Sequence, residues 1–151
     1  MLASLKVRDY MSVNKCTFTP DMDILRAIHH MLDSRISGAP VIDQHGNMVG
    51  FLSEKDCMQV ALNAAYQRDG AAGRVSEYMT DHVETIDVDT PIIDVAERFQ
   101  KGSYKRFPVV MDNRLVGTIT RQHILRALEY LADPDSKHHP DKQSTKQNVR
   151  V

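Results

Sequence analysis

Apolar residues along this chain change their spacing several times, and each change marks an element. Ile24, Leu25, Ile28, Met31 and Leu32 recur at helical spacing behind Pro20-Asp21-Met22-Asp23, which predicts an amphipathic helix that starts after a turn. Lys15 to Phe18, ahead of that turn, reads as a short strand. Gly38 and Pro40 end the helical pattern. Val41-Ile42 and Met48-Val49-Gly50-Phe51-Leu52 then flank Asp43-Gln44-His45-Gly46-Asn47, a turn-rich stretch that predicts a hairpin. Ser53 opens a second helix from Glu54 to about Tyr66, with Cys57, Val60, Ala61 and Ala64 on one stripe. The order is strand, helix, strand, strand, helix.

The same order then recurs. Val7-Arg8-Asp9-Tyr10-Met11-Ser12 returns as Val75-Ser76-Glu77-Tyr78-Met79-Thr80, and Ala39-Pro40-Val41-Ile42 returns as Phe107-Pro108-Val109-Val110, both 68 positions later (Met11 to Met79, Pro40 to Pro108). Val49-Gly50-Phe51-Leu52-Ser53 returns as Val116-Gly117-Thr118-Ile119-Thr120, 67 positions later, so one residue is lost in the second hairpin. A fixed period of this length means one supersecondary unit used twice, each copy helping to bury the other's apolar face. In the second copy Thr90-Pro91 reads as an N-cap with proline at the first helical position, and Gly102 closes that helix after Val95, Ala96 and Phe99. We divide the chain into a first repeat with its N-terminal segment over 1–68, a connector over 69–74, a second repeat over 75–132, and a polar tail over 133–151 expected to be disordered.

Charge narrows the function classes. Nineteen basic and twenty acidic residues in 151 leave a formal net charge of −1, so no global field favours nucleic acid or an anionic membrane, and any anion site must be local. Lys101, Lys105, Arg106, Arg114 and Arg121 form only a modest basic cluster, which ranks nucleic-acid binding third among the readings. No apolar run approaches a membrane span or a signal peptide, and Cys16 and Cys57 lack CxxC spacing, which points to a cytoplasmic protein with free thiols. Cys57 reads as a buried thiol. His29-His30 and His138-His139 are adjacent pairs, whose side chains on a helix point about 100° apart and do not chelate as an i, i+4 pair does. No nucleophile, base and orienting group stand out as a set, so a catalyst is the weakest reading. Tyr10-Met11 and Tyr78-Met79 read as core filler, and Ile124, Leu125, Leu128 and Leu131 give the last helix a broad apolar face suited in part to a dimer interface.

Taken together, the repeated Tyr-Met-Ser/Thr, the Pro-Val hairpin and the Gly-x-Leu/Ile-Ser/Thr-x-x-Asp/His that follows it resemble a tandem pair of CBS domains, often called a Bateman module. The resemblance covers roughly residues 5 to 132. It implies an α/β (α+β) fold of two βαββα repeats about a pseudo-two-fold axis, commonly a disc-shaped homodimer with two clefts that bind adenosine-containing ligands. The family acts as a regulatory sensor, not as a catalyst; for this chain no required cofactor and no metal are expected, and a separate effector protein is expected to read the ligand.

Ser53 and Asp56 stand where backbone N–H groups are unpaired and the helix dipole is positive, a place suited to phosphate. Asp56 can accept from ribose hydroxyls, and in the family this position holds the ribose. By the same correspondence Thr17 and the backbone of Ser37, Gly38 and Ala39, ahead of Pro40, face the adenine. Which ligand binds stays open among AMP, ADP, ATP, a dinucleotide and S-adenosylmethionine, since such contacts are largely main-chain. Ser-x-x-Asp is equally a serine N-cap with an acid at the third helical position, and both readings stand at this point. In the second repeat Thr120-Arg121-Gln122-His123 puts histidine in place of the acid. A histidine there should be biased neutral, with one ring nitrogen as acceptor at most. Thr85, Lys105, Arg106, Phe107, Pro108, Thr120, Arg121 and His123 are therefore expected to form a nucleotide or anion site in which the basic side chains matter most. A constitutive dimeric scaffold without a nucleotide is the alternative function.

Overall fold

The computed structural model describes residues 4–14, 16–66 and 72–135. Its elements are α1 (Val7–Tyr10), α2 (Ile24–Ser34), β1 (Gly38–Ile42), β2 (Met48–Ser53), α3 (Glu54–Tyr66), α4 (Val75–Tyr78), β3 (Ile86–Asp87), α5 (Ile92–Lys101), β4 (Arg106–Met111), β5 (Arg114–Thr120) and α6 (Arg121–Ala132). Helix, hairpin and helix therefore occur twice in a mixed α/β fold. Two compact units result. The first spans Lys15–Val83, and the second joins the residues up to Asn14 with those from Glu84 onward.

In the first unit Asp23 caps α2 by accepting from the Arg26 N–H at 3.1 Å, and Arg35 ends the helix in a left-handed conformation at φ 54. The buried face of α2, Ile24, Ala27 and Met31, joins Phe18, Val41, Leu52 and Val60 in one core. β1 and β2 pair antiparallel from Gly38↔Ser53 onward, with a bulge between Val41 and Ile42. The expected strand over Lys15–Phe18 is reduced to one rung: the Phe18 N–H donates to the Pro40 carbonyl and Phe18 accepts from Ile42, both at 2.9 Å. The chain then turns at once, with the Met22 N–H on the Thr19 carbonyl at 3.2 Å, so the ladder cannot lengthen. Lys15 lies outside the described residues.

In the second unit β3 runs parallel to β4, which pairs antiparallel with β5. The bulge between Val109 and Val110 repeats that of the first hairpin. Asp112 and Asn113 turn the chain at φ 52 and 66, a two-residue turn of the kind whose left-handed residues are Asn, Asp or Gly. Thr90 is not the cap of α5. Pro91 takes that position in an extended conformation at φ −61, ψ 141, without a side-chain cap. The cause is non-local: the Ile92 N–H donates to the Leu5 carbonyl at 2.8 Å and the Val7 N–H to Thr90 at 3.0 Å, which draws Pro91 into an extended pairing. Gly102 does close α5, its N–H on the Arg98 carbonyl at 3.2 Å.

That pairing belongs to a reciprocal exchange. The leading segment of the first repeat completes the second unit, and the leading segment of the second repeat completes the first. Three backbone bonds and one reciprocal pair recur 68 positions apart, save that Thr118 and Phe51 differ by 67. Ile92 to Leu5, Val7 to Thr90, Arg8 to Val88 and Ser12 with Thr118 in the second unit correspond to Ile24 to Gly73, Val75 to Met22, Ser76 to Pro20 and Thr80 with Phe51 in the first. Side chains follow the backbone: Val7, Tyr10 and Met11 lie in the core of the second unit, while Val75 is buried in the first with Tyr78 and Met79 packed against it. Glycine permits the close approach. A Cβ on Gly50 would stand 2.6 Å from Met79 Sδ, and one on Gly117 would stand 2.6 Å from the Ser12 carbonyl oxygen. The copies differ at the tyrosines, since the Tyr78 hydroxyl donates to Ala72 at 3.1 Å and accepts from Asn63 at 3.3 Å, whereas the buried Tyr10 hydroxyl has no hydrogen-bond partner among the described residues.

The expected disordered tail keeps only its first residues in view, Asp133 to Asp135 beyond α6. The rest of it, with His138-His139, lies outside the described residues, as does the connector up to Ala71. Because Gly117 faces backbone, Gly117→Ala should cost about 1–3 kcal/mol in urea denaturation. Gly102→Ala, at φ −113 and against the movable ring of the exposed Tyr104, should stay within about 0.5 kcal/mol of wild type.

Candidate functional site at the first turns of two helices

The first site is built where β1 begins beside the end of β2. Gly38 pairs with Ser53 across the hairpin, and the Ser37 carbonyl accepts the Glu54 N–H at 3.0 Å, so the start of β1 is tied to the start of α3. A Cβ on Gly38 would stand 2.6 Å from the Phe51 ring, which is why this position takes the smallest residue. Ser53 and Asp56 form a reciprocal cap: the Ser53 N–H and hydroxyl each donate to Asp56 Oδ2 at 2.9 Å, and the Asp56 N–H donates back to Ser53 Oγ at 3.2 Å. Helix cap and candidate ligand group are thus the same two side chains. Oδ2 is committed to the cap. Oδ1 accepts one long bond, from the Thr80 hydroxyl at 3.3 Å, and a carboxylate oxygen can take a further donor.

Ser37, Gly38, Ser53 and Asp56 are therefore brought together. Ala39 and Pro40 are buried in β1, and Thr17 lies one residue before the Phe18 rung, beside β1 on the edge away from β2. Thr80 was absent from the candidates read from the sequence. The available signal was the hydroxyl that follows methionine in both copies, Ser12 and Thr80. Cys57, one residue on, is buried with its Sγ 4.0 Å from Met31 Sδ; burial, with the Asp56 and Glu54 carboxylates beside it, pushes its thiol up, so it is no activated nucleophile.

The second site has the same frame and different chemistry. Arg106 pairs with Thr120 across the β4–β5 hairpin, and Thr120 and His123 form a reciprocal cap. The Thr120 N–H donates to His123 Nδ1 at 2.9 Å, and the His123 N–H donates to Thr120 Oγ1 at 3.4 Å. Imidazole replaces carboxylate as acceptor of the same backbone proton, a role only the neutral ring can fill. His123 is 8% exposed, and burial, then the Arg126 guanidinium, lowers its pKa from 6.5 to about 4. Burial and Arg126, rather than the helix end, are what favour the neutral ring here.

The basic residues are partly committed. Arg121 donates to the Tyr104 carbonyl at 2.8 Å, and Arg98, which no sequence signal marked, donates to the Thr85 carbonyl at 3.2 Å and pairs with Glu84 at 3.1 Å. Arg98 also lies 5.1 Å from the Phe107 ring centroid. Phe107 is fully buried and stacks near Phe99 and Tyr104, so its side chain belongs to the core. Pro108 is buried beside it, while Lys105 is exposed. Among the described residues no group of three His, Cys, Asp or Glu could hold a metal ion.

Residues 7–63 and 75–130 each match the family model of the CBS domain. The chain belongs to the CBS-domain family, as a tandem pair. Inosine-5'-monophosphate dehydrogenase of Halobacterium salinarum is 34% identical to this CBS pair over 119 residues, 78% of this chain and 22% of the relative. Carnitine transport ATP-binding protein OpuCA of Listeria monocytogenes is 31% identical over 121 residues, 80% of this chain and 28% of the relative. The chain thus spans less than a third of each of these two proteins. Among solved structures, the CBS domain pair of protein MJ0100 in complex with 5'-methylthioadenosine and S-adenosylmethionine is 27% identical with a TM-score of 0.65, over 83% of this chain and 96% of that one. CBSX2 of Arabidopsis thaliana, in complex with AMP, shares the fold with a TM-score of 0.71 at 24% identity, over 84% of this chain and 98% of that one.

The buried histidine makes stability depend on pH. Between 6.5 and about 4 the unfolded chain binds a proton that folded His123 does not, so stability falls as pH drops through that window. His123→Asn keeps an acceptor for the Thr120 N–H and does not titrate. Urea denaturation at pH 7 and 4.5 should show wild type losing on the order of 2 kcal/mol more than this variant.

Proposed function

We propose that this CBS pair is a regulatory module that binds an adenosine-containing ligand at the start of α3 and signals to a separate protein. The observation that carries this reading is Asp56: a carboxylate held by its own helix cap through Oδ2, with Oδ1 left for a hydroxyl donor beside the Ser37–Gly38 backbone. The MJ0100 pair, bound to two adenosine compounds, supports the ligand class. AMP, ADP, ATP and S-adenosylmethionine all present the ribose that Asp56 would hold, with Thr17 and the β1 backbone toward the base. The family match supports a binding role over a catalytic one.

At the second site the ribose contact is lost with the carboxylate. Lys105, Arg106 and Arg121, with Thr85 and Thr120, suit phosphate or another anion. Leu125 and Leu128 stand exposed on α6, which supports pairing of two chains as a homodimer. Unpaired Cys16 and Cys57 fit a cytoplasmic setting, and no helix among the described residues is long and apolar enough to cross a membrane. A constitutive scaffold is the second reading, favoured by the fact that both reciprocal caps are satisfied without any ligand.

Calorimetric titration with AMP, ADP, ATP and S-adenosylmethionine tests the choice. Saturable binding is expected in wild type, with a loss of at least about tenfold in Asp56→Asn, a variant that retains an acceptor for the cap and so keeps its stability within about 1 kcal/mol. A folded protein silent toward all four ligands would leave the scaffold.

A further inference from the structure

Thr80 is the group through which the leading segment of the second repeat reaches the candidate site of the first. Its backbone is fixed on both sides, since the Phe51 N–H donates to the Thr80 carbonyl and the Thr80 N–H to the Phe51 carbonyl, each at 2.9 Å. Phe51 lies two residues before Ser53 on β2. The preceding Met79 packs where a Cβ on Gly50 would stand 2.6 Å from its sulfur, so the segment lies tight against the hairpin. Threonine is also stiff at χ1. Backbone pairing, close packing and a restricted rotamer together aim one hydroxyl at Asp56 Oδ1, 3.3 Å away.

The carboxylate gains from that contact because its other oxygen is anchored differently. Oδ2 is held by two donors from Ser53, which fixes the position of the group but leaves it free to tilt about that anchor. A donor on Oδ1 sets the tilt. The second unit supplies an internal comparison: Ser12 makes the same backbone exchange, with Thr118, at 3.0 and 2.8 Å, but there the helix start carries His123, whose Nδ1 is taken by Thr120 and which has no second acceptor to orient. The hydroxyl occurs at both places, and a two-oxygen acceptor at only one.

We infer that Thr80 is a positioning residue for ligand recognition: its hydroxyl orients Asp56 Oδ1 so that this oxygen can accept a ribose hydroxyl while still holding the Thr80 proton. This rests on the reading of Asp56 as the ribose-binding group. It adds a specificity element, supplied by the second repeat to the first, that discriminates ribose from its deoxy forms.

The test uses the full chain with AMP and 2',3'-dideoxy-AMP as probes, in wild type, Thr80→Val, Thr80→Ser and Asp56→Asn. Thr80 is exposed and held by its backbone, so the isosteric valine keeps the fold. Thr80→Val should weaken AMP binding about three- to tenfold and leave the affinity for dideoxy-AMP unchanged, so that the preference for AMP shrinks, and Thr80→Ser should restore it. Equal weakening toward both nucleotides would make Thr80 merely structural and overturn the inference, as would no recovery with serine. An unchanged AMP affinity in Thr80→Val, alongside a loss in Asp56→Asn, would overturn the inference and leave the Asp56 reading standing. Silence of folded wild type toward AMP, ADP, ATP and S-adenosylmethionine alike, or an AMP affinity indifferent to Asp56→Asn, would remove both.

Discussion

The exchange of leading segments is the constraint on which the rest of this structure depends. Each hairpin presents a β-strand edge and a glycine, and each is covered by about eight residues that sit in the sequence beside the other hairpin's repeat. Without Leu5 the first N–H of α5 has no acceptor, and without Gly73 the same is true of α2. Buried N–H groups left without partners cost about 1–3 kcal/mol each, and the apolar residues carried with the segments, Val7, Tyr10 and Met11 on one side and Val75 on the other, are needed to close the cores. Neither unit is complete from its own repeat. Thr80 reaches Asp56 by the same exchange, so the candidate site inherits its geometry from a feature that first serves folding.

At the two helix starts one backbone device is realised with two chemistries. A hydroxyl residue and an acceptor three positions later satisfy each other's N–H groups, and the device does not discriminate between carboxylate and neutral imidazole. Ligand chemistry does. A carboxylate has two oxygens and retains acceptor capacity after capping its helix; imidazole has one acceptor nitrogen in its neutral form and spends it on the cap. Duplication of the fold therefore does not duplicate the site, and the difference between the copies turns on the acceptor capacity of one side chain.

The fold was legible where its causes are local. The repeat itself, both hairpins, the start of α3 after Ser53 and the stop at Gly102 follow from period, turn residues and caps. The two misreadings have different causes. Thr90-Pro91 has the composition of a helix start, but pairing with Leu5 and Val7, more than eighty positions earlier, extends Pro91 and moves the helix on by one residue. Lys15–Phe18 has strand character and finds only one rung because the chain turns immediately after it. At the candidate site Ser53 and Asp56 could be named from their spacing, since residues three apart meet within one helical turn. Thr80 could not, being brought there by non-local pairing. Phe107 was nameable as part of a motif but not as a core ring, and Arg121 as a cation but not as a donor to the Tyr104 carbonyl.

The pairing of Arg8 with Asp89, 81 positions apart, puts this topology in terms of time. A ribosome releases Tyr10 and Met11 early, yet the strand, helix and hairpin that bury them are translated only after the whole first repeat. During synthesis these residues must wait, exposed, for the second half of the chain, while the first hairpin meets its own cover as soon as residues 73–80 emerge. At roughly 5–20 residues per second the delay amounts to several seconds. The two halves, alike in architecture, are therefore not alike in history: the repeat that is read first is finished first, and the segment that is read first is among the last to find its place.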